Sequence, residues 1–219
     1  MLPGTPPWVL KEGDSLKVGQ AELEFKGNTL ALKDLYTDKS LAVRVKKVEV
    51  RPYPPVYVPK KVTDYLILEF DPLLFEEDKD LWFTAPYDLA IRVRGRVTAY
   101  LSPFTVKYTL YGPTTEGVVC RYHRTEVMEE PEDTEYALVK VKFRVNKPKQ
   151  VDKLVIPVTE LDMFAEDGKI FYEVVEATIG DLINVELKNV PPVEAKPIYP
   201  AERSVSVISR IMSGYRMRW

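Results

Sequence analysis

The stretch KKVTDYLILEFDPLLFEEDKDLWF (Lys60–Phe83) returns eighty-nine residues later, without a gap, as KQVDKLVIPVTELDMFAEDGKIFY (Lys149–Tyr172). Lys60/Lys149, Val62/Val151, Ile67/Ile156, Phe75/Phe164, Glu77/Glu166 and Asp78/Asp167 are identical, and the positions between them largely keep their apolar character. A period this long is that of a small β domain rather than of a solenoid unit of roughly 20–50 residues. The reading is an all-β, internally duplicated β-sandwich. Its two closely packed halves, residues 1–112 and 113–219, are related by an approximate twofold axis. One continuous 219-residue β domain is the alternative. Either way, Val62–Phe83 and Val151–Tyr172 are expected to share one strand–turn–strand form, with Phe75 and Phe164 both buried.

Working outward from the repeat, strand signals dominate. AELEFKGNTLALKDL alternates around Gly27-Asn28, a two-residue hairpin signal, with Leu23, Phe25, Leu30 and Leu32 facing inward. Leu41–Val50 alternates again until the four prolines of Pro52–Pro59, which predict an edge or a connector. VPPVEAKPIYP (Val190–Pro200) reads as a proline-spaced connector. Ser204–Trp219 fits a strand or a helix, with dense β-branched residues favouring strand through Ile211.

The composition, 45% hydrophobic and 29% charged with a net charge of −2, is that of a globular protein without the basic excess of a dedicated nucleic-acid binder. No apolar run approaches the roughly 20 residues of a membrane span, and MLPGTPPWVLKEGD has no signal-peptide pattern, so a cytoplasmic location is expected. Two glutamines and four asparagines beside many ionic residues point to a thermophile.

A single cysteine, Cys120, excludes an internal disulfide and a thiolate zinc cage, and a single histidine, His123, removes most hydrolase constellations. If Gly117–Val127 is a strand, Cys120 and His123 point to opposite faces, so they make no dyad. Glu76, Glu77 and Asp78, matched by Glu166 and Asp167, are turn carboxylates rather than a glycosidase pair or a calcium loop. No metal, cofactor or catalytic residue is assigned.

Three features carry binding potential. Arg92, Arg94 and Arg96, with Arg44/Lys46 and Lys140/Lys142/Arg144, form basic stripes, each on one face of a strand. Their bland reading is neutralisation by glutamates across the sheet. The loop Tyr111–Gly117 presents Thr114, Thr115 and Glu116 beside Arg121, as a ligand loop or simply as a Gly-Pro turn. Tyr53, Tyr57 and Trp219 offer large rings with polar tips for an interface.

TLYGPTTEGVVCRYHRTEV (Thr109–Val127), in an all-β, proline-punctuated chain ending GYRMRW, resembles an uncharacterised family of archaeal proteins. The resemblance implies no activity, cofactor or substrate. The expectation is a non-enzymatic module that binds a macromolecular partner or itself as a homo-oligomer, with Ser204–Trp219 in the contact. The competing expectation is a binder of a small anion or carbohydrate, or an enzyme, that uses the Tyr111–Gly117 loop and nearby basic residues. A deep polar cleft near Thr115 and Arg121 would favour the second.

Overall fold

The computed structural model describes residues 4–113 and 116–199. The calls on Thr114, Thr115, Trp219 and the segment Ser204–Trp219 lie outside them. The chain forms β1 (Trp8–Lys11), β2 (Ser15–Val18), β3 (Ala21–Lys26), β4 (Thr29–Lys33), β5 (Asp38–Ala42) and β6 (Lys47–Tyr53). Then follow β7 (Tyr65–Phe75), β8 (Lys79–Ala85), β9 (Asp88–Val93), β10 (Arg96–Leu101), β11 (Tyr108–Tyr111), β12 (Val118–Arg124) and β13 (Val127–Met128). β14 (Ala137–Val145), β15 (Lys149–Pro157), β16 (Met163–Glu166), β17 (Lys169–Tyr172), β18 (Val175–Ile179), β19 (Ile183–Leu187) and β20 (Lys196–Tyr199) complete them. A single 3₁₀ turn, Val158–Glu160, is the one helical element among the described residues.

The fold is all-β and sandwich-like. One sheet is the meander β2-β3-β4-β5, and a second is ordered β1-β6-β9-β10. The third runs β11-β12-β7-β15, and the fourth β13-β8-β14-β17-β16-β20, with β18 beside β14 and β19 beside β18. The meander turns where the sequence places it: Gly27 and Asn28 both have positive φ (59° and 61°), the geometry a tight two-residue hairpin requires. Leu23, Phe25, Leu30 and Leu32 are all buried.

The two repeated stretches pair with each other. β7 and β15 run antiparallel with Leu66 opposite Ile156 and Ile67 opposite Val155. In the sequence alignment Leu66 matches Val155 and Ile67 matches Ile156, so this register is the one a local dyad between the copies needs. Beyond that point the copies differ. The first is an uninterrupted strand, a turn and β8. The second breaks after Pro157 into the 3₁₀ turn before β16 and β17. Pro157 stands where the first copy has Leu68, and proline cannot donate to a continuing ladder. Phe75 and Phe164 are both buried.

One apolar core runs from Trp8 to Ile198, and pairs such as β8–β14 and β7–β12 cross the 112/113 boundary. A small second cluster, Trp82, Leu138, Phe164 and Phe171, packs on the other face of the fourth sheet. With both faces covered, β8 is buried continuously from Leu81 to Ala85 instead of alternating.

Three expectations need correction. Leu41–Val50 is not one strand: it divides into β5 and β6 around residues 43–46. Pro52 lies in β6, which is flanked by β1 and β9. It is tolerated because β1 covers only Lys47–Val50, leaving one side of Pro52 unpaired. Lys196–Tyr199, assigned to a connector, forms β20 on β16.

Candidate functional site

Arg121 and Asp88 form the most unusual polar feature of the interior. Both are fully buried, and Arg121 Nη2 lies 3.8 Å from Asp88 Oδ1. Arg121 Nη1 donates to the Val58 carbonyl (3.1 Å) and Nη2 to Ser102 Oγ (3.4 Å), while the guanidinium lies 5.7 Å from the Tyr108 ring centre. Asp88 Oδ2 accepts from the Tyr57 amide at 2.8 Å. Asp88 Oδ1 and Arg121 Nε have no hydrogen-bond partner among the described residues. The pair ties two irregular segments, Val56–Val58 and Ser102–Phe104, to the sheet strands β9 and β12. Arg121 is therefore an internal tie and is not presented to a ligand.

A polar cleft of about 620 Å³ opens immediately beyond it. Its walls come from the Gly19-Gln20 turn, the connector Pro103–Lys107, the end of β12 (Tyr122–Arg124) and Glu135-Tyr136 before β14. Ser102 links the two sites, because its hydroxyl receives Arg121 and donates to the Phe104 carbonyl (2.8 Å). Asp34 holds the same connector by accepting the Ser102 amide at 2.7 Å. On the opposite wall the Gln20 amide donates to the Pro103 carbonyl (2.9 Å). A Cβ on Gly19, which has φ +52°, would meet that carbonyl oxygen at 2.4 Å. The turn sits this close to Pro103 only because residue 19 is glycine.

An aromatic series lies along the cleft. Tyr87 meets Phe104 edge-on (5.2 Å), Phe104 stacks on Tyr136 (4.2 Å), and Tyr136 meets the His123 ring (4.7 Å). His123 Nε2 lies 3.2 Å from Thr84 Oγ1. Burial, followed by the Arg121 and Lys107 charges, pulls the imidazole down to about 4, so it is neutral near pH 7. Gln20, Thr105, Lys107 and Glu135 make no side-chain hydrogen bond or ion pair among the described residues. Arg124, at the rim, is held by Glu69 and Asp71 (3.4 and 2.5 Å).

Cys120 is buried, its thiol is pushed up to about 11 by burial, and its sulfur contacts the Val118 carbonyl rather than His123. The other candidate residues are scattered. Arg92 pairs with Glu49 (3.1 Å). Arg94, expected on a strand face, occupies the turn between β9 and β10 with φ 52° and donates to the Arg44 carbonyl. Arg96 is exposed on β10, and none of the three lines the cleft. The stripe on β14 is answered by acids, Lys140 by Asp80 (3.2 Å) and Arg144 by Asp78 (3.5 Å). Glu116 is exposed in a tight turn whose amide donates to the Pro113 carbonyl (3.1 Å). Tyr53 and Tyr57 do come together: with Tyr100 and Tyr199 they form a half-buried patch with ring centres 4.6–5.9 Å apart. Sequence reasoning missed Asp88, Lys107 and Tyr136. Asp88, alone among apolar neighbours in YDLAI, was the one visible signal.

Residues 8–212 match the family described as a protein of unknown function, DUF432. The chain belongs to that family. No curated protein and no solved structure matches it. Membership in DUF432 brings no activity with it. Among the described residues no group of three or more His, Cys, Asp or Glu could hold a metal ion, and no helix is long and apolar enough to cross a membrane.

The buried Asp88 and the half-buried His123 predict an unusual pH profile. Burial pushes the Asp88 carboxyl up to about 7, against the pull of Arg121, the Tyr57 and Val58 amides and the Ser102 hydroxyl. A raised acid binds its proton more tightly in the fold, so its contribution to stability is greatest at low pH and is lost as pH rises to about 7. His123 is depressed, so its contribution is present above the unfolded value of 6.5 and is lost as pH falls to about 4. Between those limits the folded chain keeps the Asp88 proton while the unfolded chain keeps the His123 proton, and the two slopes cancel. Relative to the parent, Asp88→Asn should gain stability with rising pH across this window, by up to about 1.4 kcal/mol per unit, and His123→Gln should lose it at a similar rate. Urea titrations at pH 4.5, 5.5 and 6.5 check both. Parallel profiles for the three proteins would refute the assignment.

Proposed function

We propose that the protein is a non-enzymatic binding module whose recognition site is the cleft between the Gly19-Gln20 turn and β12. The observation that carries this is the set of unengaged polar side chains, Gln20, Thr105, Lys107 and Glu135, arranged around one concave, partly aromatic surface. Ligand sites combine such a surface with a few convergent polar groups. The volume suits a small molecule, and the cleft lies where connectors from different sheets meet, backed by a rigid core. Its chemistry is that of binding: His123 Nε2 is engaged by Thr84, and Cys120 turns away. The site borders the strand named in the sequence reading but uses the neighbours of Arg121 in place of Arg121 itself. The amide-poor, ion-rich composition supports a thermophilic source.

A second reading, assembly with another copy or a protein partner, is favoured by the tyrosine patch of Tyr53, Tyr57, Tyr100 and Tyr199, since clustered tyrosines are frequent interface anchors. A saturation-transfer NMR screen of small polar fragments separates the two. Hits should perturb Tyr136 and His123 and should disappear in the Gln20→Leu/Thr105→Val double variant, with light scattering unchanged. Hits confined to Tyr53 and Tyr100, together with a dimeric mass abolished by Tyr53→Ala/Tyr100→Ala, would overturn the cleft reading in favour of assembly.

A further inference from the structure

Resting on the reading of the cleft as the binding site, we propose that its ligand carries an anionic group, a carboxylate or phosphate, seated between the Lys107 ammonium and Nδ1 of His123. The argument begins with the hydrogen bonds behind the imidazole. Thr125 donates its hydroxyl proton to the Thr84 carbonyl at 2.7 Å, and Thr84 Oγ1 accepts the Glu126 amide at 3.1 Å. Thr84 Oγ1 lies 3.2 Å from both His123 Nε2 and Thr125 Oγ1, and in this proposal its proton goes to the imidazole, which places the ring proton on Nδ1. Nδ1 makes no hydrogen bond to protein among the described residues. The wall thus offers a neutral, oriented N–H donor beside an unpaired ammonium.

The charges are divided along the cleft. Those acting on the His123 ring are the cations Arg121 and Lys107, whereas the carboxylates Glu126 and Glu135 act on Tyr136. An anion is therefore attracted to the Lys107 end, and hydroxyl or amine groups of the same ligand to the Glu135 end. Arg124 adds little to the attraction, because Glu69 and Asp71 already neutralise it. A point-charge ammonium with a single N–H donor suits one carboxylate or one phosphate oxygen face. A bound anion also stabilises the imidazolium form of His123, so the ring should titrate at higher pH when the site is filled.

His123 is the one histidine of the chain, so its ring signals need no assignment. Long-range 1H–15N spectra of the full chain should show the Nδ1–H tautomer at pH 7. Inorganic phosphate or acetate should shift those signals saturably and raise the ring's titration midpoint by about one unit. Lys107→Met, a change at an exposed position, should weaken the effect at least tenfold while leaving the melting temperature unchanged. A stronger response to phosphate than to acetate marks a phosphorylated ligand, and the reverse marks a carboxylic acid. An Nε2–H tautomer, no response to either anion, or a response unaltered by Lys107→Met overturns the proposal. Glucose serves as the neutral probe: if it moves Tyr136 and Gln20 while both anions leave His123 unmoved, the cleft reading stands and the anion assignment falls.

Discussion

At pH 8, where Asp88 is ionised, Arg121→Met should destabilise the protein by about 3–5 kcal/mol, the cost typical of removing one partner from a buried ion pair. The substitution leaves the Asp88 carboxyl enclosed without a neighbouring cation, held by the Tyr57 amide at 2.8 Å. It also frees the Val58 carbonyl and Ser102 hydroxyl that the guanidinium engages. Loss of the cation raises the Asp88 proton affinity further, so the variant should be penalised more at pH 8 than at pH 5. Adding Asp88→Asn to Arg121→Met should recover a large part of the loss at pH 8, because an amide still accepts the Tyr57 N–H without carrying charge. Denaturant unfolding of both variants at the two pH values provides the measurement. A cost below about 1 kcal/mol, or no relief from the second substitution, would show that the pair contributes little. Because the pair holds Ser102, and Ser102 holds Phe104, Arg121→Met should also loosen the cleft wall.

Phe143→Ala should cost a similar amount, about 3–5 kcal/mol, through a different mechanism. Phe143 is fully buried on β14, stacked on Phe75 at 4.2 Å and packed near Phe83 at 6.0 Å. It joins the repeated stretch to the strand around which the fourth sheet is organised. Its removal leaves a cavity that the surrounding strands, fixed on both sides by hydrogen bonds, cannot close. Leu74→Ala, one residue before Phe75 but 64% exposed, should change stability by no more than about 0.5 kcal/mol. Melting curves of the two variants should differ widely, and equal shifts would contradict the placement of the core.

Much of the fold was legible because local chemistry and tertiary packing agree. The Gly27-Asn28 turn and its alternating flanks require no distant information, and the recurrence of phenylalanine at Phe75 and Phe164 marks two buried positions directly. Legibility failed where a distant strand changed the rules. Arg94 reads as part of an alternating run, yet the chain reverses there to form the β9–β10 hairpin. Arg121 reads as a solvent-facing cation, and only the approach of Asp88, thirty-three residues earlier, makes its burial tolerable. The tyrosine patch was half visible, in Tyr53 and Tyr57, but Tyr100 and Tyr199 join it through sheet pairing. The cleft was least visible of all. It combines a turn, a connector, the end of a strand and the approach to another, and no spacing rule connects Gln20 with Lys107 or Tyr136.

The pairing of β7 also bears on how the chain is made. Its hydrogen-bonding neighbours are β12 and β15, residues 118–124 and 149–157, whereas β7 itself spans residues 65–75. During synthesis an apolar strand, with LILEF in its first half, emerges well before either neighbour exists. The meander β2–β5 can close from local contacts, but the middle of the molecule must wait for its later strands. Non-local pairing of this kind slows folding and leaves strand edges exposed to other chains. A nascent chain stalled before residue 118 should therefore be a substrate for holdase chaperones and proteases, while release past residue 157 should bring protection in a single late step.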